Sequence, residues 1–367
     1  MKPVRQAIII LVTAIISRRL MLYWCPRAVQ SWAERISHSA LSPAAFHVWS
    51  ELAKVGVPEA QFQVARSYLQ GASVPQSHSE ALRWFRRSAL QGHSEAQASM
   101  ALLAIQGFVT RTDSPSFQRE SDAISSSLRG ISERSTRFDV ALIWARLAAS
   151  DGVVNAQALL GYLLSFGPVP MRDLKSARVW LEKAASRGSL QGALALAMLI
   201  SEQDESKKQA PRVLALLALA SDGGLPFASR LLAISAEYGL GQERDPEYAV
   251  TLYKRAAGSG DPFSQAKLGI ALMMGIGTPV DPTKGESWLR RSALSGDPDA
   301  AALLGDLYLH GIHVPQDYIN AQRWLEQAAE SGHRGAARTL GVIRLTGLFG
   351  SRDTKAALGL FRYRAFT

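Results

Sequence analysis

The sequence predicts an all-α chain in which antiparallel helix pairs stack into an α-solenoid, and three observations carry that prediction. Glycine recurs at a fixed step along most of the chain. Between the glycines the apolar residues follow helical spacing, three and four apart. Alanine and leucine dominate while β-branched residues are sparse outside the N-terminus, which favours helix over strand. With 47% hydrophobic and 20% charged residues among 367, the chain can bury a continuous core and does not have a disordered composition.

The step is marked by Gly56, Gly92, Gly152, Gly188, Gly224, Gly260, Gly296 and Gly332. Successive markers lie 36 residues apart except Gly92 and Gly152, which lie 60 apart, so one copy carries an insertion of 24 residues. Nine residues after each marker stands Ala65, Ala101, Gly161, Ala197, Ala233, Gly269, Gly305 or Gly341, small enough to let another helix approach closely. Fifteen after it stands Gly71, Gly107, Gly167, Gly239, Gly275, Gly311 or Gly347, with Gln203 in the remaining copy. A glycine there is expected to end the first helix in the left-handed conformation. Eight before the next marker stands Trp84, Trp144, Trp180, Trp288 or Trp324, with Leu216 and Leu252 in two copies. These are expected to be core knobs of the second helix. One helix pair cannot bury its own apolar face, so neighbouring pairs must stack.

Taken in order, residues 1–42 stand apart as a basic and apolar N-terminal segment. Lys2, Arg5, Arg18, Arg19 and Arg27 precede the first acidic residue, Glu34, so about half of the net charge of +10 sits there. The apolar run at 7–16 follows a basic start, the layout of an export signal. It is short of the roughly 20 residues a spanning helix needs. Arg18 and Arg19 then interrupt it, at about 3 kcal/mol each near a membrane centre. Three readings stand: an uncleaved signal or interfacial anchor, an acid-free basic targeting peptide, and a helix that caps the solenoid. Membrane association or export is favoured through residues 1–33, with a cytoplasmic location left open.

The solenoid is expected over residues 43–367 as about eight units, beginning with an incomplete one whose second helix covers residues 44–55. The insertion near 109–134 is serine-rich and polar, read as a mobile loop with a regulatory or partner-binding role as the alternative. The copy that lacks its loop glycine carries a charged connector at 202–208.

Units 156–188, 264–296 and 300–332 resemble Sel1-like repeats, relatives of the tetratricopeptide repeats. The matching residues are Ala156 with Leu160-Gly161 in a first helix, the loop element Pro315 with Asp317, and Ala321, Trp324-Leu325, Ala328-Ala329 and Gly332 in a second. The resemblance covers about residues 44–366. It implies a right-handed α-solenoid of 36-residue Sel1-like repeats.

Chemistry of other kinds is not expected. The one cysteine, Cys25, rules out an internal disulfide framework and makes a cysteine-based zinc site implausible. No zinc-protease helix, phosphate-binding loop or dinucleotide fingerprint occurs. Gly239 with Gly241, and Gly275 with Gly277, fall at repeat loops and read as turn residues. His38, His47, His78, His93, His310, His313 and His333 come without a carboxylate or cysteine constellation and read as surface or loop histidines. Arg83, Arg86 and Arg87, with Lys254-Arg255 and Arg290-Arg291, lie near aromatics but on positions expected to face water, so nucleic acid is not an expected partner. No cofactor, metal or catalytic residue is expected.

A partner is expected on the concave wall that first helices line in helical-pair superhelices. Positions seven, ten and fourteen after each marker share one helix face. They give Leu159, Tyr162 and Phe166; Leu231, Ile234 and Tyr238; Lys267, Ile270 and Met274; and Asp306 with His310. The alternative is that these side chains pack against the preceding unit's second helix. The function expected is a non-catalytic scaffold or adaptor gripping a partner protein along this face. A membrane-tethered or envelope regulatory protein is the alternative, and an enzyme acting on cell-wall glycans is not expected.

Overall fold

The computed structural model describes residues 43–109, 133–202, 208–348 and 352–362. The N-terminal segment 1–42, most of the insertion at 109–134 and most of the charged connector at 202–208 lie outside the described residues. Among those residues there are 17 α-helices, one short 3-10 turn and no strand. None of the described helices is long and apolar enough to cross a membrane.

The chain divides into two compact units, one ending at Ala195 and the other beginning at Leu196. The first holds α1 (Pro43–Val55), α2 (Pro58–Gln70), α3 (His78–Leu90), α4 (Ser94–Ile105), α5 (Glu133–Ser150), α6 (Val154–Phe166) and α7 (Leu174–Ser186). Helix α8 (Leu190–Ser201) contains the boundary. The second holds α9 (Ala210–Asp222), α10 (Pro226–Tyr238), α11 (Pro246–Gly258), α12 (Pro262–Met274) and α13 (Pro282–Leu294). It continues with α14 (Pro298–His310), α15 (Tyr318–Glu330), α16 (Arg334–Thr346) and α17 (Thr354–Arg362).

In the first unit α2–α3, α4–α5 and α6–α7 form hairpins, stacked through α1–α2, α3–α4 and α5–α6. In the second, α10–α11, α12–α13, α14–α15 and α16–α17 are the hairpins, stacked through α9–α10, α11–α12, α13–α14 and α15–α16. Each unit is therefore a run of stacked helix pairs, as the period predicts.

The three recurrent small positions have different physical reasons. Marker Gly296 has φ +93°, and a Cβ there would meet nothing within 4 Å, so handedness alone demands glycine. Gly305 is the reverse case: a Cβ would lie 2.6 Å from Leu325 Cγ, and the missing side chain is what lets α14 seat against α15. The loop glycines follow the left-handed expectation at Gly311 (φ +66°), but Gly167 departs from it with φ −68°. There a Cβ would strike Leu163 O at 2.3 Å, so Gly167 serves close approach. Gly241 and Gly277 are left-handed turn residues, as read from their loop positions.

The tryptophan expectation needs correction. Trp144 and Trp324 are buried, but Trp84, Trp180 and Trp288 are only half-buried. A cation from the next turn lies over each of those three rings: Arg87 at 4.9 Å, Lys183 at 5.1 Å and Arg291 at 4.6 Å from the centroids. The residue that follows is the core knob, namely Phe85, Leu181, Leu289 and Leu325, each at 1% exposure or less. A side chain one position along a helix turns by 100°, which is enough to exchange rim for core. Arg87 and Arg291 consequently cover indole as well as facing water.

Helix starts are capped by side chains. Asp173, Asp245, Asp281 and Asp317 precede α7, α11, α13 and α15 and accept a backbone N–H from the first turn. Buried glutamines join one pair to the next. Gln61 donates to Ala53 O at 3.2 Å, Gln157 to Ala149 O at 3.2 Å and Gln265 to Ala257 O at 3.2 Å. Each accepting carbonyl belongs to the last turn of a second helix and takes the glutamine amide beside the N–H of the marker glycine, Gly56, Gly152 or Gly260.

Candidate partner-binding face

The first helices of each unit carry the predicted face, and burial along it is graded. On α6, in the first unit, Leu159 and Phe166 are half-buried while Tyr162 is 44% exposed. The Tyr162 and Phe166 rings stand 5.2 Å apart and tilted, an aromatic pair with one open flank. In the second unit Leu231, Ile234, Lys267 and Ile270 are half-buried. Tyr238 at 59% and Met274 at 63% stand out, and Asp306 and His310 are exposed on α14. Packing against a neighbour thus accounts for part of the set: Ile270 seats against the core cluster that includes Leu304 and Leu307. In the second unit the positions fourteen after the marker, Tyr238, Met274 and His310, are open, as is Asp306 ten after its own; in the first unit Tyr162, ten after its marker, is open and Phe166 is not.

Helices α10 and α12 meet through a network that sequence reasoning did not single out. Arg230 lies 4.4 Å from the Phe227 centroid and 5.5 Å from that of Phe263, and forms an ion pair with Asp261 at 3.0 Å. Lys267 Nζ donates to Glu237 Oε1 at 2.9 Å and to the Tyr238 hydroxyl at 3.1 Å, and sits 5.3 Å from the Tyr238 centroid. Tyr253 donates to the other Glu237 oxygen at 2.5 Å. Burial pushes the Glu237 carboxyl up, but the hydrogen bonds from Tyr253 and Lys267 outweigh it and hold the group below the usual carboxylate range. Burial and the carboxylate beside it drive the Tyr253 phenol well above its ordinary value. Burial opposes the Lys267 charge, and Glu237 more than restores it. The predicted Lys267 is therefore a paired cation. The sequence signal for this network was present: Phe227 and Phe263 both stand three residues after their markers.

Asp306 differs. Burial raises its carboxyl, and only His310 and His333 pull it back. Two histidines that the sequence left as surface residues also act structurally. His93 Nδ1 accepts the Ala96 N–H at 3.2 Å while Nε2 meets Glu59 at 2.7 Å. His333 repeats the arrangement with Ala336 at 2.9 Å and Asp299 at 3.4 Å. Among the described residues no group of three or more His, Cys, Asp or Glu side chains is placed to hold a metal ion.

Comparison with known proteins agrees with this architecture. The family model described as Sel1 repeat matches residues 58–93, 154–189, 226–261, 262–297, 298–333 and 336–363. Sel1-repeat-containing protein YjcO of Escherichia coli K12 is 33% identical over 116 residues, which is 30% of this chain and 50% of that protein. The chain thus spans about half the length of the curated relative it matches. The solved structure of a Sel1 repeat protein from Oxalobacter formigenes superposes with a TM-score of 0.60 at 25% identity, covering 90% of each chain. A protective antigen of uropathogenic E. coli displaying an SLR fold superposes with a TM-score of 0.65 at 22% identity, covering 87% of this chain and 64% of the antigen.

Proposed function

Given that the chain belongs to the Sel1-repeat family, we propose that it is a non-catalytic scaffold or adaptor that grips a segment of a partner protein along its first helices. The fold is of a kind that generally mediates protein–protein interaction. The observation that carries the reading is the pair Tyr238 and Met274, which stand 59% and 63% exposed beside a half-buried, internally paired network. Large apolar side chains displayed on a rigid support are the anchors that interfaces use. The paired Lys267 holds the Tyr238 hydroxyl and lies against one side of its ring, fixing that anchor while most of the residue stays exposed. Tyr162 on α6 offers a comparable anchor in the first unit.

The test is partner capture by the full chain, its partner first identified by mass spectrometry. Tyr162→Ala combined with Tyr238→Ala is expected to weaken capture at least tenfold, about the effect of losing one anchor residue. Unchanged capture by a variant whose thermal unfolding matches the parent's rejects the assignment of the face.

A further inference from the structure

The first-helix face of the second unit has a charge pattern that narrows its partner. Both of its aromatic-side cations are spoken for, Arg230 by Asp261 at 3.0 Å and Lys267 by Glu237 at 2.9 Å. That part of the face presents rings and methionine with no net charge to satisfy. One helix further, the balance changes. Asp306 stands exposed on α14 with no hydrogen bond or ion pair among the described residues, and of the described groups only the two imidazoles of His310 and His333 act favourably on it. Asp299, on the same helix, is 86% exposed with the His333 ring nitrogen Nε2 at 3.4 Å. Ile270 bridges the two parts, packed against the cluster that α14 helps to form.

An incoming chain therefore meets three cases. An acidic segment faces Asp306 and Asp299 with like charge. A purely apolar one would strip water from Asp306 and return nothing, which is costly for an ion. A segment with a cation beside bulky apolar residues provides what the surface lacks.

We propose that the second unit docks a basic, apolar segment of a partner polypeptide, with a lysine or arginine on Asp306 and apolar side chains across Tyr238, Ile270 and Met274. This rests on the reading of the face as a partner groove, and adds the partner's chemistry.

The test is selection from a phage-displayed random peptide library on the immobilised full chain, on Asp306→Asn, on Asp306→Lys and on Tyr238→Ala. The parent is expected to enrich peptides with Lys or Arg next to Phe, Tyr, Leu or Met. Asp306→Asn should lower the Lys/Arg enrichment about fivefold, the effect of one partly exposed ion pair, while leaving the apolar preference. Asp306→Lys should turn the charge preference toward Asp and Glu. Tyr238→Ala should lower the apolar preference. Enrichment of acidic peptides by the parent, or a Lys/Arg preference that Asp306→Asn leaves intact, overturns the charge assignment even where sensitivity to Tyr238→Ala keeps the groove. Selection indifferent to both Asp306 and Tyr238 overturns the two together.

Discussion

Gly296 and Gly305 share one letter of the sequence and differ in cause, and substitution separates them. At Gly296 the penalty is the left-handed backbone alone, since nothing lies within 4 Å of a Cβ. Gly296→Ala should cost about 1–2 kcal/mol, and Gly296→Asn less, because asparagine tolerates that conformation. At Gly305 a Cβ would press on Leu325 at 2.6 Å. Gly305→Ala should cost about 1–3 kcal/mol from overpacking, and Gly305→Asn more rather than less. Urea midpoints of the four variants provide the comparison. Glu59 supplies a pH prediction. Its carboxyl is held below the ordinary range by the His93 hydrogen bond. A depressed folded pKa contributes stability that is complete above the unfolded value of about 4.3 and is lost as pH falls through the folded value. Glu59→Gln should therefore flatten the fall in urea midpoint below about pH 5. An acid limb identical to the parent's would show that His93 does not hold the carboxylate.

At the level of the helix, the repeat was legible and its detailed register was not. Helical periodicity and glycine punctuation located the hairpins because those signals come from local backbone physics. The sequence placed tryptophan in the core from its position in the repeat, whereas at Trp84, Trp180 and Trp288 rotation around the helix seats the next residue there. Leu289→Ala should accordingly cost about 2–5 kcal/mol, and Trp288→Ala less, about 1–2 kcal/mol for half the buried area, as chemical denaturation of both would show. The glutamines five residues after the marker were written in the sequence at 61, 97, 157 and 265. Their role was hidden because the accepting carbonyl is main chain and carries no letter. The Asp261 cap gives a cleaner case: it accepts the Ser264 N–H at 2.9 Å and also meets Arg230. Asp261→Ala should cost about 1 kcal/mol, and Asp261→Asn clearly less, since asparagine caps as well as aspartate.

For the molecule as a whole, stacking of neighbour on neighbour makes stability local. Leu289→Ala is expected to speed amide exchange in α12 to α15 before it touches α2 to α4, and mass spectrometry of exchanged peptides would show it. Equal loss in both would mean a single cooperative block. On the candidate face Tyr162, Tyr238 and Met274 are exposed, whereas Ile234, Ile270 and Phe166 at the same repeat positions are half-buried, a difference that position in the repeat does not encode. Lys267 belongs to the predicted face, yet Glu237, 30 residues away in sequence, holds it; long-range pairing of that kind leaves no local trace. In the function proposed above, exposed first-helix residues hold the partner. The most direct measurement is photo-cross-linking from p-benzoylphenylalanine placed at Tyr238, compared with the same probe at Val179, a 63% exposed residue on the second helix α7. A partner adduct from position 238 and none from 179 is the expected result; adducts from 179 alone would put the partner on the second helices and rule the first-helix face out.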